Sequence, residues 1–548
     1  MVFRIIIVAL VGSTLLGSPN AAQAEKKDKD INKEITLTQI GRYEAGTCTP
    51  ACTPRAEIAA YDPATKRLFA INANQLRLDV LDISTPSNPM PAFAPVPLGS
   101  GLLPNSVAIH EGIVAVALQQ ADPNKTSPGV VKFFDTDGNL LNQLTVGALP
   151  DMLVFSPNGR WLLVANEGEP SSYLEPRSLL TDPEGTVSII DMRRGPALLT
   201  QDDVRSATFD DSIPKINQAS IRVYGPGASL AQDLEPEYIA VSHDSKTAWV
   251  TLQENNAIAI LDIDKGEFTR LVGLGFKDHS ERGKGLDPSD QDLAVDNGPL
   301  KDGINIKNWP VFGIYEPDTI ASYRVKGETY LVMANEGDTR ADWPGFNEEV
   351  RVGAVEAGTN LPLYVLDPAV FPDATDLKLS ENLGRLTVTT ATGDTDDDGD
   401  FERIMVPGAR SFSIRKANGS LVFDSGDQLE QKIAELAPDL FNSDGTAASF
   451  NTRSDNKGPE PEGVVIGRVF GRTYAFIGLE RAGGIMVYDI SDPERPFFVD
   501  YASTSPIDVS PEGILFISGE DSPNGKPLLV VSHEISNTTT IFEISKQK

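Results

Sequence analysis

The stretch PDMLVFSPNGRWLLVANEG, residues 150–168, contains the pattern that decides the fold. Two short apolar runs, 151–156 and 161–165, flank the turn sequence PNG at 157–159. Asn and Gly tolerate the positive φ of a hairpin turn, and short runs rich in Val and aromatics form strands rather than helices. The stretch therefore predicts a β-hairpin.

The same hairpin pattern recurs along the chain. Seven units align; six open with Pro, and six have a carboxylate at the second place. The openings are Ala56-Glu57, Pro104-Asn105, Pro150-Asp151, Pro236-Glu237, Pro317-Asp318, Pro461-Glu462 and Pro511-Glu512. Because several such units can bury both sheet faces only by stacking around an axis, we expect an all-β, seven-bladed β-propeller over residues 35–548. Segment 35–43 would supply the fourth strand of the last blade and close the ring.

The second strands end in another acidic column: Glu167, Glu254, Glu336, Glu480 and Glu534. First strands begin where second strands end, so the two columns should meet at one face near the axis. Most long loops are expected at that face: 169–185, 201–234, 278–315, 338–407 and 438–459. The sequence therefore predicts a polar or cation-binding axial pocket. Its candidate residues are Asp151, Glu167, Glu237, Asp318, Glu462 and Glu512. The alternative is a structural role, in which the carboxylates cap backbone N–H groups.

The sharpest local motif is DTDDDGDFE at 394–402, inside the 338–407 insertion. Alternate oxygen ligands with Gly at the sixth place are typical of a calcium loop. The expected metal ligands are Asp394, Asp396, Asp398, Asp400 through its carbonyl, and Glu402. The twelfth place holds Met405 instead of Glu, so a residue from elsewhere must complete the shell. The alternative is a solvated acidic loop.

Composition and the N-terminal segment indicate an extracytoplasmic protein. Residues 1–24 have the charge, apolar run and small-residue end of a signal peptide, and 25–34 form a charged linker. No later segment is apolar enough for a transmembrane helix. We expect a periplasmic or secreted protein without a C-terminal anchor, and a disulfide between Cys48 and Cys52. The net charge of −31 argues against nucleic acid and favours cations.

Residues for nucleophilic catalysis are scarce. There is no G-x-S-x-G or H-E-x-x-H sequence, and His533 is expected in a surface turn. Arg340, Arg410 and Arg481 follow the acidic motifs and either clamp a phosphate or form structural salt bridges. If the protein is an enzyme, the catalytic candidates are these three arginines with Glu336 and Glu480.

The chain contains the long motifs YLVMANEGDTR (330–340), GDTDDDGDFE (393–402), RSDNKGPEPEGV (453–464) and GLERAGGIMVYDISDP (478–493). These motifs resemble the choice-of-anchor I family, to which the animal mesenchyme-specific cell-surface glycoproteins are similar. The resemblance covers nearly the whole chain after residue 24 and implies a secreted β-propeller. Some relatives carry an alkaline phosphatase label.

Two functions follow. The first is a calcium-binding extracytoplasmic propeller that acts as a binding or interaction protein for an unidentified ligand. The second is a calcium-dependent phosphoesterase, in which carboxylate-held metal ions polarise a phosphorylated small molecule. The bare pocket would repel phosphate, so the second function needs several metal ions at the axis, whereas the first needs only one calcium in the insertion. An oxidoreductase propeller has no motif in its favour.

Overall fold

The computed structural model describes residues 35–46, 58–122, 125–174, 181–291, 303–341, 343–357 and 361–547. The protein is all-β and has the propeller arrangement. Its described residues contain seven sheets of four or five strands, numbered here in chain order, and two smaller sheets. The predicted leader 1–24, the linker 25–34, and Cys48 and Cys52 lie outside the described residues.

The strands alternate with tight turns, as the hairpin pattern predicts. The first three sheets comprise Ala59–Asp62, Arg67–Asn72, Arg77–Asp82, Met90–Pro91 and Val96–Pro97; Leu102–His110, Ile113–Gln120, Pro128–Asp135 and Leu140–Ala148; and Pro150–Phe155, Trp161–Asn166, Thr186–Asp191 and Val204–Thr208. The fourth and fifth comprise Lys215–Ile216, Pro236–Val241, Thr247–Leu252, Ala257–Asp262 and Glu267–Gly273; and Ile320–Val325, Glu328–Asn335, Ser411–Lys416 and Leu421–Asp424. The last two comprise Pro461–Val469, Arg472–Leu479, Ile485–Asp489 and Phe497–Ala502; and Pro511–Ile517, Leu528–His533, Thr538–Lys546 and Ile35–Glu44.

The N-terminal strand completes the seventh sheet. Ile35–Glu44 pairs antiparallel with Thr538–Lys546, the last strand of the chain. The first strands of consecutive sheets contact one another, and that of the seventh sheet contacts that of the first. A hydrophobic cluster lies between each neighbouring pair of sheets; the last one packs Leu68 of the first sheet with Val530 of the seventh. The sheets therefore surround a common axis without an open edge there.

The long insertion folds against its neighbours. Glu349–Arg351 pairs with Thr387–Thr389, and Ile404–Val406 joins a small sheet with Val311–Ile314 and Phe276–Asp278. Their side chains form one apolar core, which includes Trp309, Tyr364 and Phe401. Within the described ranges, the α-helices are Leu230–Asp233, Ala374–Leu377 and Gln428–Leu436. Short 3₁₀ turns span Ala73–Gln75, Met192–Arg194, Pro196–Leu198, Gln201–Asp203, Gln218–Ser220, Pro438–Leu440 and Ala447–Ser449.

Parts of the expected loops are strands. Val204–Thr208, inside the predicted loop 201–234, is the outer strand of the third sheet, and Lys215–Ile216 pairs parallel with Glu267–Gly273. Sequence periodicity missed these strands because edge strands are short and largely polar.

Candidate cation-binding site

A repeated backbone irregularity aims the acidic residues at the axis. In the third sheet Pro150 pairs with Asn166, but the regular register resumes only at Leu153, so Asp151 lies in a bulge. The fourth, sixth and seventh sheets have the same irregularity directly after their opening Pro. Because a bulge turns a side chain out of the regular alternation, each strand delivers its second residue to the same place.

The axial carboxylates meet at one cavity of about 260 Å³. Asp151, Glu167, Asp318, Glu462 and Glu512 all line it. Asn105, the one exception in the acidic column, lines it as well. The remaining candidate, Glu237, is buried beside them, within reach of the charges of Glu167, Asp318 and Asp151. The structure thus brings together all six residues of the candidate axial pocket.

Burial and mutual repulsion make these carboxyl groups weak acids. Burial, with the charge of Glu336, raises the pKa of Asp318 to about 8. Burial, with the charge of Glu169, raises the pKa of Asp151 to about 6. The pKa values of Glu167, Glu237 and Glu462 are raised well above their usual range for the same reasons. Such groups at neutral pH either hold protons or need a compensating cation.

Cationic side chains of the protein neutralise part of this charge. Lys125 lines the cavity and contacts Glu169 at 2.5 Å. The ammonium group of Lys457 lies 2.9 Å from Glu336 and 3.3 Å from Glu460. The neighbouring carboxylates raise the pKa of Lys457 well above its usual range although burial opposes this, so the group stays charged.

Glu336 and Glu480, two of the catalytic candidates, belong to one cluster. With Glu460 they place one oxygen each within 4.8 Å of one another, a spacing that suits a metal ion. Burial and the charges of Glu336 and Glu460 raise the pKa of Glu480 to about 8. Arg481 is partly exposed and reaches Glu480 at 3.1 Å.

Three further glutamates lie directly before the opening Pro residues of the hairpin units that carry the axial carboxylates. The sequence E-P-[ED] occurs at 235–237, 316–318 and 460–462. In each case the Glu before the Pro is buried and paired with a basic side chain. Of the acids after the Pro, Asp318 and Glu462 line the cavity and Glu237 is buried beside it. The pairs are Glu235 with Arg340, Glu316 with Arg222, and Glu460 with Arg453, Lys457 and Arg481. Our sequence reasoning missed these glutamates, although the repeated tripeptide was a visible signal.

Two of the three candidate arginines form buried salt bridges. Arg340 contacts Asp233 at 2.7 Å and Glu235 at 3.0 Å. Arg410 contacts Glu430 at 2.8 Å and donates to backbone carbonyls as well. Of the two roles considered from sequence, these contacts match the structural one.

Arg340 belongs to a group of side-chain contacts that join the insertion to the segment around Tyr224. Its guanidinium carbon lies 4.5 Å from the ring centroid of Tyr224, and that of Arg222 lies 4.3 Å from the same centroid. The Tyr224 hydroxyl donates to Glu348 of the insertion at 2.7 Å, and Arg222 also contacts Glu348. Nothing in the sequence pattern pointed to Arg222, Tyr224 or Glu348, because they lie in irregular segments.

Hydrogen bonds within the acidic loop of the insertion hold its carboxylates close together. Asp394 accepts hydrogen bonds from the backbone N–H groups of Asp397 and Gly399, at 2.7 and 3.0 Å. Gly399 has φ +96°, which fits the sharp turn expected at the sixth place. Asp394, Asp396, Asp398 and Glu402 bring one oxygen each within 4.8 Å of one another.

The side chain of Asp400 belongs to a second group in this loop, with Asp367 and Glu402. Asp367 enters through a backbone hydrogen bond from its N–H to the carbonyl of Phe401. It is therefore a candidate ligand beside Asp400 and Glu402 that the sequence could not name. Partial desolvation, with the charges of Asp398 and Asp367, raises the pKa of Asp400 to about 6.

The expectation of a surface turn at His533 was wrong. The residue ends a central strand and is 1% exposed, with Nε2 3.0 Å from the Thr540 hydroxyl. Burial lowers its pKa to about 4. The polar Ser-His-Glu sequence is typical of a turn, but His533 is the last residue of a strand and its side chain is buried.

Fold and site together define a β-propeller with an acidic axial cavity. A family model described as "Choice-of-anchor I domain" matches residues 57–493. The chain therefore belongs to the choice-of-anchor I family, which indicates a secreted or cell-surface protein. Among the residues that the structure describes, no helix has the length and apolar character to cross a membrane.

Two curated proteins are similar to parts of the chain. Gigasin-3a of Magallana gigas is 28% identical over 184 residues, which are 30% of this chain and 64% of that protein. A mesenchyme-specific cell surface glycoprotein of Strongylocentrotus purpuratus is 27% identical over 292 residues, 48% of this chain and 36% of that protein. The matches thus span about two thirds and one third of these relatives. Among solved structures, Kuenenia stuttgartiensis hydrazine synthase superposes with a TM-score of 0.46 at 14% identity, covering 91% of this chain and 99% of that one.

Proposed function

We propose that the protein is an extracytoplasmic cation-binding β-propeller that acts as a binding protein, with seven blades closed by the N-terminal strand. The observation that carries the proposal is the convergence of carboxylates from separate sheets on one cavity, with Asp151, Glu462 and Glu512 turned inward by bulges at their strand openings. Surface acidity alone needs no such convergence. Several weak acids in one enclosed space favour a cationic occupant, because a cation relieves their mutual repulsion.

We further propose that Ca²⁺ binds at Asp394, Asp396, Asp398, Asp400 and Glu402, with Asp367 as an added ligand. The support is the close approach of oxygens within two sets that share Glu402, together with the N–H groups that already orient Asp394. Phe401, between two of these residues, stacks on Tyr364 in the core of the insertion at a centroid distance of 4.1 Å. Calcium would therefore stabilise the insertion as well as its own loop.

The second candidate function is a calcium-dependent phosphoesterase. The observation in its favour is the cluster of Glu336, Glu460 and Glu480 beside the partly exposed Arg481. The contacts of Arg340 and Arg410 oppose it, since both guanidinium groups are already bonded within the protein. A metal ion at the cluster would also have to displace the ammonium of Lys457. We therefore favour the binding function.

The segments outside the described residues complete the proposal. Residues 1–24 would act as a signal peptide, 25–34 as a linker, and Cys48 and Cys52 would pair in an oxidising compartment. The mass of the exported protein, measured before and after thiol alkylation, tests both: cleavage removes residues 1–24, and a disulfide blocks alkylation.

Thermal unfolding in a panel of metal and organic cations at constant ionic strength tests the function. Asp318→Asn reports on the cavity and Asp398→Asn on the loop. The control is Asp211→Asn, an exposed carboxylate whose side chain is 93% exposed. We expect cations to raise the melting temperature of the wild type and of the control. Each site variant should lose the part of this increase that comes from the site it changes. If no cation stabilises the protein, the proposal is wrong. Calcium-dependent phosphate release from a panel of phosphomonoesters would establish the second candidate instead.

A further inference from the structure

Among the described residues, no three of the carboxylates that line the cavity come close enough together to ligate one bare metal ion. Calcium binds oxygen at about 2.3–2.6 Å, so two ligand oxygens of one ion lie within about 5 Å of each other. Within the described ranges, sets of three or more carboxylates with that spacing occur in the 394–402 loop, with Asp367, and at the Glu336 cluster. Asp151, Asp318, Glu462 and Glu512 are not among them, although all four line the cavity. The cavity thus suits several positive centres set apart.

Some of these carboxylates have an unused oxygen. Glu237 is only 5% exposed, and its Oε2 has no hydrogen-bond partner among the described residues. It occupies the same position after the opening Pro as Asp151, and the charges of Glu254 and Glu167 act on it. Within the described part of the chain, Oε2 of Glu462 in the cavity wall is also buried and unpaired. A buried carboxyl oxygen without a hydrogen-bond partner is costly, which points to a partner supplied by a ligand.

The protein's own side chains show which donor fits this face. Lys125 brings a primary ammonium group to Glu169, and both residues line the cavity. Lys457 brings another to Glu336 and also donates to the carbonyl of Gly337. An ammonium group has three N–H donors, which lets it serve carboxylates that lie on different sides. Tyr238 in the cavity wall offers an aromatic surface for the alkyl chain of such a group.

We propose that the axial cavity binds a linear alkyl chain with two or more primary ammonium groups. The inference rests on the proposed cation-binding function and names its ligand class. Glu462, Asp318 and Asp151 would each accept from an ammonium group, and the polar cavity would hold the chain between them. Two sources share this chemistry: a free polyamine, and lysine side chains presented by a partner protein.

Calorimetric titration of the purified protein tests the inference. The probes are spermine, trilysine, n-butylamine and Mg²⁺, each in physiological salt so that unspecific attraction to the acidic surface is screened. We expect spermine or trilysine to bind at least tenfold more tightly than n-butylamine and Mg²⁺. Tighter binding of spermine would indicate a free polyamine, and tighter binding of trilysine would indicate lysine side chains of a partner protein. Asp318→Asn and Glu462→Gln should each weaken that binding about tenfold, the loss expected for one charge-assisted hydrogen bond. Asp211→Asn should change it less than twofold.

Both cavity variants remove a repelled charge without changing side-chain size, so they should fold. Thermal unfolding without ligand checks this, and a variant that melts at or above the wild-type temperature validates its titration. Equal binding of the probe by Asp318→Asn, Glu462→Gln and wild type would overturn the inference, because the polyamine would then sit elsewhere. Binding of Mg²⁺ alone, lost in Asp318→Asn, would overturn the inference but keep the cation-binding function. Absence of any cation binding would overturn both.

Discussion

The ammonium group of Lys457 lies 2.9 Å from the carboxylate of Glu336, although 121 positions of sequence separate the two residues. Lys457→Met would remove the ammonium group from the cluster of Glu336, Glu460 and Glu480, and the arginines paired with Glu460 and Glu480 would remain. We expect a loss of about 3–5 kcal/mol in the free energy of unfolding, the usual cost of breaking a buried pair. Millimolar Ca²⁺ should restore part of the loss, because the three oxygens have a spacing that suits a metal ion.

Urea unfolding of Lys457→Met with and without Ca²⁺ makes the measurement. The control is Lys526→Met, which breaks the exposed pair with Glu543 and should cost less than about 1 kcal/mol. A Lys457→Met protein as stable as the wild type would show that the ammonium group does not stabilise this cluster.

Arg410 should matter for stability more than for any ligand. It donates to Glu430 at 2.8 Å and to the carbonyl groups of Asp287 and Ser454 at 2.7 and 2.8 Å. Lysine cannot reproduce this fork of donors, so Arg410→Lys should lower the free energy of unfolding by about 2 kcal/mol or more. The exposed Arg495→Lys should stay within about 0.5 kcal/mol. Chemical denaturation compares the two, and an unchanged midpoint for Arg410→Lys would reopen its role as a phosphate clamp.

The repeat made the site predictable, because a residue's place in the hairpin fixes where its side chain points. Asp151 and Glu462 are more than three hundred positions apart, yet the same Pro-acid opening places both in the cavity wall. The clasp by segment 35–44 was predictable for a related reason: the last unit lacked one strand. Local patterns of this kind carry over from unit to unit without any knowledge of tertiary contacts.

The partners of the charges were not predictable in this way. Arg222 comes from loop 201–234, and Arg340 and Glu348 come from the 338–407 insertion. Only the folded chain shows that all three contact Tyr224. The backbone N–H of Asp367 bonds to the carbonyl of Phe401 in the acidic loop, and no sequence periodicity predicts this contact. Sequence pattern assigns a residue to a face, whereas the choice between salt bridge and ligand depends on what other loops bring there.

Stability should fall as pH rises when no cation is present. The folded-state pKa values of Asp151, Glu254 and Asp318 are about 6, 7 and 8, all above their unfolded values near 4. The folded protein therefore holds more protons than the unfolded chain between pH 4 and 8. Each such group contributes stability that is complete below pH 4 and is lost as pH rises through its folded pKa, by up to about 1.4 kcal/mol per pH unit. Glu348 and Glu460, whose pKa values are lowered, affect stability only below about pH 4.5.

Denaturation midpoints from pH 5 to 8.5 in the presence of chelator measure this slope. Asp318→Asn should flatten it and raise the stability at pH 8, while Asp211→Asn leaves it unchanged. A cation that binds the cavity should also flatten the slope in the wild type. Stability that rises over this range would mean that the cavity carboxyl groups are ionised at little cost, and the argument for a cationic occupant would lose its basis.

Calcium binding should depend on the backbone of Gly399. Its φ of +96° is unfavourable for residues with a side chain, although a Cβ there would meet no atom within 4 Å. Gly399→Ala should therefore disturb the loop through backbone strain alone, weakening Ca²⁺ binding about tenfold for a strain of one to two kcal/mol. Gly471, with φ +88° and equally open surroundings, is the matched control in a hairpin turn of the sixth sheet. Gly471→Ala should cost similar stability but leave calcium affinity unchanged. Calorimetry on the two variants gives the comparison, and equal calcium affinities would mean that residues 394–402 do not form the calcium site.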